Sequence, residues 1–209
     1  MRSKSYFLSS HFVAMLTCLM ALLLSSDSLA YDINRGLTSR LSEVKSGPEQ
    51  VVLLGQTQQV GNKAPAFKVV DNQFRTIHST DFAGKTLLIS VVPSIDIGIC
   101  SLQTQRFNRE VAQLPAEVRV ITISTDLPFA QKRFCQAEQI DAMPVLSDAV
   151  WRDFGSKYGL LIKDMGMLTR TILIIDNKGK LAYKQLVSEL TAEPDYDEAL
   201  SHLQQLLKQ

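Results

Sequence analysis

Three uninterrupted apolar runs constrain this chain more than any other feature: TLLISVV (Thr86 to Val92), VRVITIS (Val118 to Ser124) and TILIID (Thr171 to Asp176). Each has strand length and no polar–apolar alternation, so each calls for cover on both faces. The segments between them carry helical signals that can supply it. After Cys100, the residues Leu102, Phe107, Val111 and Leu114 are spaced to face one core. PFAQKRFCQAEQ opens on Pro128, suited to a first helical turn after Asp126, and VWRDFGSKYG closes on Gly159. PDYDEALSHLQQLLKQ repeats apolar residues at Tyr196, Ala199, Leu200, Leu203 and Leu207.

The remaining elements are shorter. AFKVVDNQFRTIHSTDFAGK reads as a strand, a turn and a second short strand, and VVLLG with TQQVG as a small hairpin over residues 51–61. NKGK after the third run is a turn signal, with LAYKQLV as the hairpin partner. Residues 31–50 are polar, contain Gly47 and Pro48, and show no strong period; they read as an arm or linker. The expected fold is α/β: a thioredoxin-like sandwich with a central mixed sheet, helices on both faces and an added N-terminal β-hairpin, spanning residues 51–209.

Residues 1–30 read differently. Arg2 and Lys4 give a basic start, Phe12 to Leu24 form a short apolar run, and Ser28 to Ala30 offer small residues for cleavage. This is the pattern of a secretory signal peptide, and the apolar run falls short of the ~20 residues that span a bilayer. The expectation is an exported, periplasmic protein with no membrane attachment once the signal is removed. Cys18 lies in the segment to be discarded. Of the 22 basic and 21 acidic side chains, residues 1–30 hold Arg2, Lys4 and Asp27, so the rest of the chain is formally neutral. It has no basic stripe, which argues against a nucleic-acid partner.

The mature chain keeps two thiols, Cys100 and Cys135. In an exported protein a single possible pair invites a disulfide, either a structural staple or a reactive one. The placement of Cys100 favours reactivity. It opens a helix, where unpaired N–H groups and the positive end of the macrodipole favour the thiolate. Pro93 stiffens the link from strand to helix and shields the sulfur, and Arg170, just before the third run, is positioned to stabilise negative charge there. His78 and His202 are isolated, so no metal site or Cys–His hydrolase is expected.

PSIDIGIC (Pro93 to Cys100), DLPFAQKRFC (Asp126 to Cys135) and EPDY before the last helix resemble the peroxiredoxins, and among them the thiol peroxidase branch, the atypical two-cysteine type. The resemblance runs from about Val51 to the C-terminus. It implies that Cys100 is the peroxidatic cysteine, Cys135 the resolving one, and Arg170 and Pro93 the active-site arginine and proline. It also implies a hydroperoxide substrate, a thioredoxin-like or other dithiol reductant, no cofactor and a homodimer.

The chain departs from the family pattern at Ile97, where threonine is usual. That hydroxyl normally helps hold the thiolate and peroxide; a hydrogen bond to a charged group is worth ~1.5–3 kcal/mol. Ile97 and Ser94 are therefore the candidate substrate-pocket residues. The rival readings are a redox switch or binding protein with weakened peroxidase activity, and a disulfide oxidoreductase. Ser101, Leu102 and Gln103 after Cys100 count against the second, because they leave no C-x-x-C pair.

Overall fold

The computed structural model describes residues 36–208; the expected signal peptide lies outside them. All three apolar runs are strands in the middle of a seven-stranded mixed sheet. In chain order the elements are β1 (Ser39–Ser46), β2 (Glu49–Leu54), β3 (Lys68–Val70), β4 (Thr76–His78), a 3₁₀ turn (Ser79–Phe82), β5 (Thr86–Val91), α1 (Gly98–Val111), β6 (Val118–Ser124), α2 (Pro128–Ala137), β7 (Val145–Ser147), α3 (Asp153–Tyr158), β8 (Leu161–Ile162), β9 (Thr171–Ile175), β10 (Leu181–Leu186) and α4 (Tyr196–Leu206). The large sheet runs β10-β9-β5-β6-β7-β3-β4. β5, β6 and β7 are parallel, and β9 returns antiparallel beside β5.

Every residue of β5 is buried, as its unbroken apolar run requires. Leu87, Ile89 and Val91 face one cluster with Ile121, Ile123 and Leu173, closed by Phe154 and Tyr158 of α3. Leu88 faces the other with Val120, Ile172 and Ile174, closed by Cys100 and Phe107 of α1 and by Ala199 and Leu203 of α4. α2 adds Ala130 and Phe134 to that second layer. Fully burying a side chain such as Leu88 or Ile89 contributes roughly 1.5–3 kcal/mol. Asp195 caps α4 by accepting the Glu198 N–H at 2.8 Å, and Gly159 ends α3 in the left-handed conformation.

The N-terminal hairpin forms, but from different residues. β2 pairs antiparallel with β1, which the sequence reading assigned to an arm, and on its other side with β8. Within β1 only Ser42 and Val44 are buried, so the segment lacks the apolar alternation that would mark it as a strand. Gly47 and Pro48 lie in its turn. The expected second strand, TQQVG, instead runs over α3. Gln58 within it donates Nε2 to the Lys157 carbonyl at 2.7 Å, and just before it Gln56 N–H donates to the Ser156 carbonyl at 2.8 Å. The approach is close enough that a Cβ on Gly55 would stand 2.0 Å from the Ser156 oxygen, and one on Gly159 2.8 Å from the Gln56 oxygen.

Candidate active site

Strand register builds the site. Val91 at the end of β5 pairs with Thr171 at the start of β9, which sets the loop after β5 beside Arg170. Pro93 has no N–H to extend the ladder, and the chain turns toward α1. Asp126, just beyond β6, fixes that turn: its carboxylate accepts Ser94 Oγ–H at 2.7 Å and Ile95 N–H at 2.9 Å. Ile97 is the N-cap of α1, in extended backbone, and provides no side-chain cap. Cys100 follows in the first turn, with its N–H donating to the Ile97 carbonyl at 2.8 Å.

Cys100 and Arg170 are both fully buried. Arg170 Nη2 donates to Cys100 Sγ at 3.2 Å and to the Leu190 carbonyl at 3.0 Å. Its Nη1 donates to Gln103 Oε1 at 2.7 Å, and Gln103 Nε2 donates in turn to Ser90 Oγ at 2.8 Å. Among the described residues Arg170 forms no salt bridge with a carboxylate, and its Nε has no hydrogen-bond partner. A buried guanidinium without a carboxylate calls for another anion, and the group in contact with it is a thiol that can become one.

Arg170 is held from an unexpected direction. The loop carrying Leu190 is tied to β1: Lys45 N–H donates to the Ser188 carbonyl at 2.8 Å, and Leu190 N–H to the Lys45 carbonyl at 2.9 Å. The N-terminal hairpin therefore supports the segment that orients the arginine.

Cys135 lies near the end of α2, half-buried, and both cysteines are free thiols. Burial pushes the Cys135 thiol up from its ordinary value. The two helices are linked by Gln105 Nε2 donating to Glu138 Oε2 at 2.6 Å and Asn108 Nδ2 to the Gln139 carbonyl at 3.3 Å. On its outer side Cys135 lines two concavities, of about 400 and 590 Å³.

Of the residues expected from sequence, Cys100 and Arg170 come together, and Pro93 is buried in the loop that leads from β5 to α1. Ser94 is adjacent, but its hydroxyl is donated to Asp126. Ile97, at the N-cap of the helix that carries Cys100, is 40 % exposed. Gln103, Asp126 and the Leu190 carbonyl were not expected. Gln103 had a readable signal, since a polar residue three positions after Cys100 shares its helix face. No cluster of His, Cys, Asp or Glu among the described residues could hold a metal ion.

Residues 59–200 match the family described as Redoxin. The chain is 46 % identical over 163 residues to a thiol peroxidase of Oceanobacillus iheyensis, covering 78 % of this chain and 99 % of the relative. It is 44 % identical over 164 residues to a thiol peroxidase of Bacillus subtilis, covering 78 % and 96 %. The crystal structure of a peroxiredoxin-like protein from Aquifex aeolicus superposes with a TM-score of 0.74 at 38 % identity, over 80 % of this chain and 99 % of that one.

Proposed function

We propose a peroxidase cycle for this chain, which belongs to the Redoxin family and, within it, to the thiol peroxidases of the peroxiredoxin superfamily. The observation that carries the reading is the buried Arg170 guanidinium 3.2 Å from Cys100 Sγ with no carboxylate to neutralise it. The Cys100 thiolate attacks the distal oxygen of a hydroperoxide. An S–O bond forms, the O–O bond breaks, and the departing oxygen takes a proton to leave as water or an alcohol. Arg170 offsets the negative charge moving from sulfur to oxygen, in a buried site already organised by Gln103 and Leu190.

Cys135 then attacks the sulfenic sulfur, forming a Cys100–Cys135 disulfide and releasing water. An external dithiol restores both thiols. The raised Cys135 thiol suits the second role better than the first, because only a thiolate attacks peroxide efficiently. Export to the periplasm and a homodimeric state complete the proposal.

A second reading, a redox switch with weakened peroxidase activity, draws on Ile97, which leaves the start of α1 without a side-chain cap. One experiment separates the two. Peroxide added to the mature protein is expected to give an intramolecular disulfide; Cys135→Ser should consume one equivalent and stop at the sulfenic acid, and Cys100→Ser should be inert. A Cys100 that reacts no faster than a free thiol would remove the peroxidase reading.

A further inference from the structure

We propose that the turn of α2 carrying Cys135 is poised to open, strained by a left-handed residue, Gln139, and held closed from α1 by Asn108. These two residues then set how fast the resolving thiol reaches Cys100. The inference rests on the peroxidase cycle above and concerns its second step.

The geometry leaves Cys135 a distance to travel. β5 and β6 are parallel, so α1 and α2, which follow them, run side by side in one direction. The bonds from Gln105 to Glu138 and from Asn108 to Gln139 fix their register. That register puts Cys135 level with a point about one turn beyond Cys100. Packed helix axes lie ~8–10 Å apart, whereas bonded cysteines need Cα atoms ~4.4–6.8 Å apart.

The two halves of α2 are held differently. The first half is anchored: Gln131 is fully buried, and its Nε2 donates to Ser124 Oγ at 3.0 Å and to the Leu146 carbonyl at 2.9 Å. The second half ends in a Schellman cap, in which Ile140 N–H donates to the carbonyl of Cys135 itself at 2.9 Å. Such a cap needs a left-handed residue just before the donor, and glycine usually fills the place. Here it is Gln139, at φ +54°. Glutamine takes that conformation at a cost, and its side chain is exposed, so no burial offsets it. Asn108 holds the strained turn from the neighbouring helix: its Oδ1 accepts the Ala142 N–H at 3.0 Å, and its Nδ2 donates to the Gln139 carbonyl at 3.3 Å. Opening is thus favoured by Gln139, opposed by Asn108 and stopped at Gln131.

The chemistry follows from the opening. Burial pushes the Cys135 thiol up, so release of its turn also favours the thiolate. The thiolate attacks the sulfenic sulfur of Cys100; the S–S bond forms, the S–O bond breaks, and the oxygen leaves with protons as water. A turn that opens rarely leaves the sulfenic acid to meet a second hydroperoxide. That reaction forms another S–O bond, breaks the O–O bond, releases water or an alcohol, and leaves a sulfinic acid that no thiol restores. Gln139 and Asn108 therefore also set the share of protein lost at high peroxide.

The test mixes reduced mature protein with hydrogen peroxide, quenches at intervals and counts thiol, sulfenic acid, disulfide and sulfinic acid by mass spectrometry. Gln139→Gly relieves the strain and should slow disulfide formation about fivefold or more, with a larger share of sulfinic acid at high peroxide. Asn108→Ala removes the clamp and should speed disulfide formation by about fivefold. The first oxidation of Cys100 should be unchanged in both, since neither residue contacts the Cys100–Arg170 pair. Reduced Gln139→Gly should also show slower amide exchange over residues 135–140. Slower exchange with an unchanged disulfide rate overturns the inference, and so does the opposite order of rates, which would make the closed turn the reactive one. Gln139→Gly is decisive by itself if Asn108→Ala weakens the fold. Wild-type protein that consumes peroxide and yields no disulfide removes the peroxidase cycle, and the inference with it.

Discussion

At the scale of single residues, the site combines a legible chemistry with an illegible support. Cys100 and Arg170, which the structure brings into contact, were singled out in sequence as a thiol at a helix start and a basic residue before a buried strand, and Pro93 as the proline that ends one; their roles came from the family resemblance. Asp126 carried no local signature: it acts on Ser94 and Ile95, and only the parallel pairing of β5 with β6 brings those residues together. Ile97 now has a definite place. It is the N-cap of α1, where a threonine hydroxyl would accept an N–H from the first turn. Ile97→Thr is therefore expected to strengthen the start of α1 by about 1 kcal/mol and to speed oxidation of Cys100 by up to roughly 10- to 100-fold. The same cap should slow the later disulfide-forming step, because the first turn becomes harder to open. Stopped-flow traces that resolve the two phases check both signs, and an oxidation rate unchanged or reduced would mean that the pocket has been rebuilt around isoleucine.

Among elements, the informative pair is the N-terminal hairpin and α1. The hairpin supports the active site through Lys45 and the Leu190 loop, yet β1 was read as an arm. With only Ser42 and Val44 turned inward, its stability comes from pairing with β2, which no local periodicity reports. α1 presents the opposite case: its position was legible in the sequence that follows Pro93. Both cysteines are free, on separate helices, whereas bonded cysteines need Cα atoms ~4.4–6.8 Å apart. Oxidation is expected to loosen the first turn of α1 and the Cys135 end of α2. Amide exchange should quicken over residues 98–103 and 132–140, while β5 and β9, buried along their length, stay protected. Equal exchange in the two redox states would speak for a disulfide formed without helix opening.

For the whole molecule, the three buried runs were enough to give the mixed sheet and its two covered faces; the order of its edge strands was not written in any of them. Stability should also depend on pH through a group outside the site. Asp148 is buried and accepts the Phe154 and Gly155 N–H groups at 3.0 and 2.8 Å. Burial pushes its carboxyl up to about 7, against the opposing pull of those N–H donors and Arg152. An unfolded aspartate ionises near 3.8. The folded protein thus holds a proton that the unfolded chain has lost, and the resulting stability is complete below about pH 4 and fades as pH rises toward 7. Urea unfolding should give a free energy about 2–3 kcal/mol lower at pH 8 than at pH 5 from this group. In Asp148→Asn that part of the difference should vanish; a wild-type-sized drop in the variant would assign the effect elsewhere.

The contact of Gly55 and Gln56 with the C-terminal end of α3 has a consequence of another kind. Gly55, at φ +105°, and Gly159, at φ +65°, each meet backbone where any side chain would stand, and backbone cannot rotate aside as a flexible side chain can. In a saturation library selected for peroxide resistance, these two codons should be nearly as intolerant as those of the cysteines. Intolerance to replacement in this protein thus marks two unrelated demands, reacting with an oxidant and letting two stretches of main chain touch, and a fitness map alone would not tell them apart.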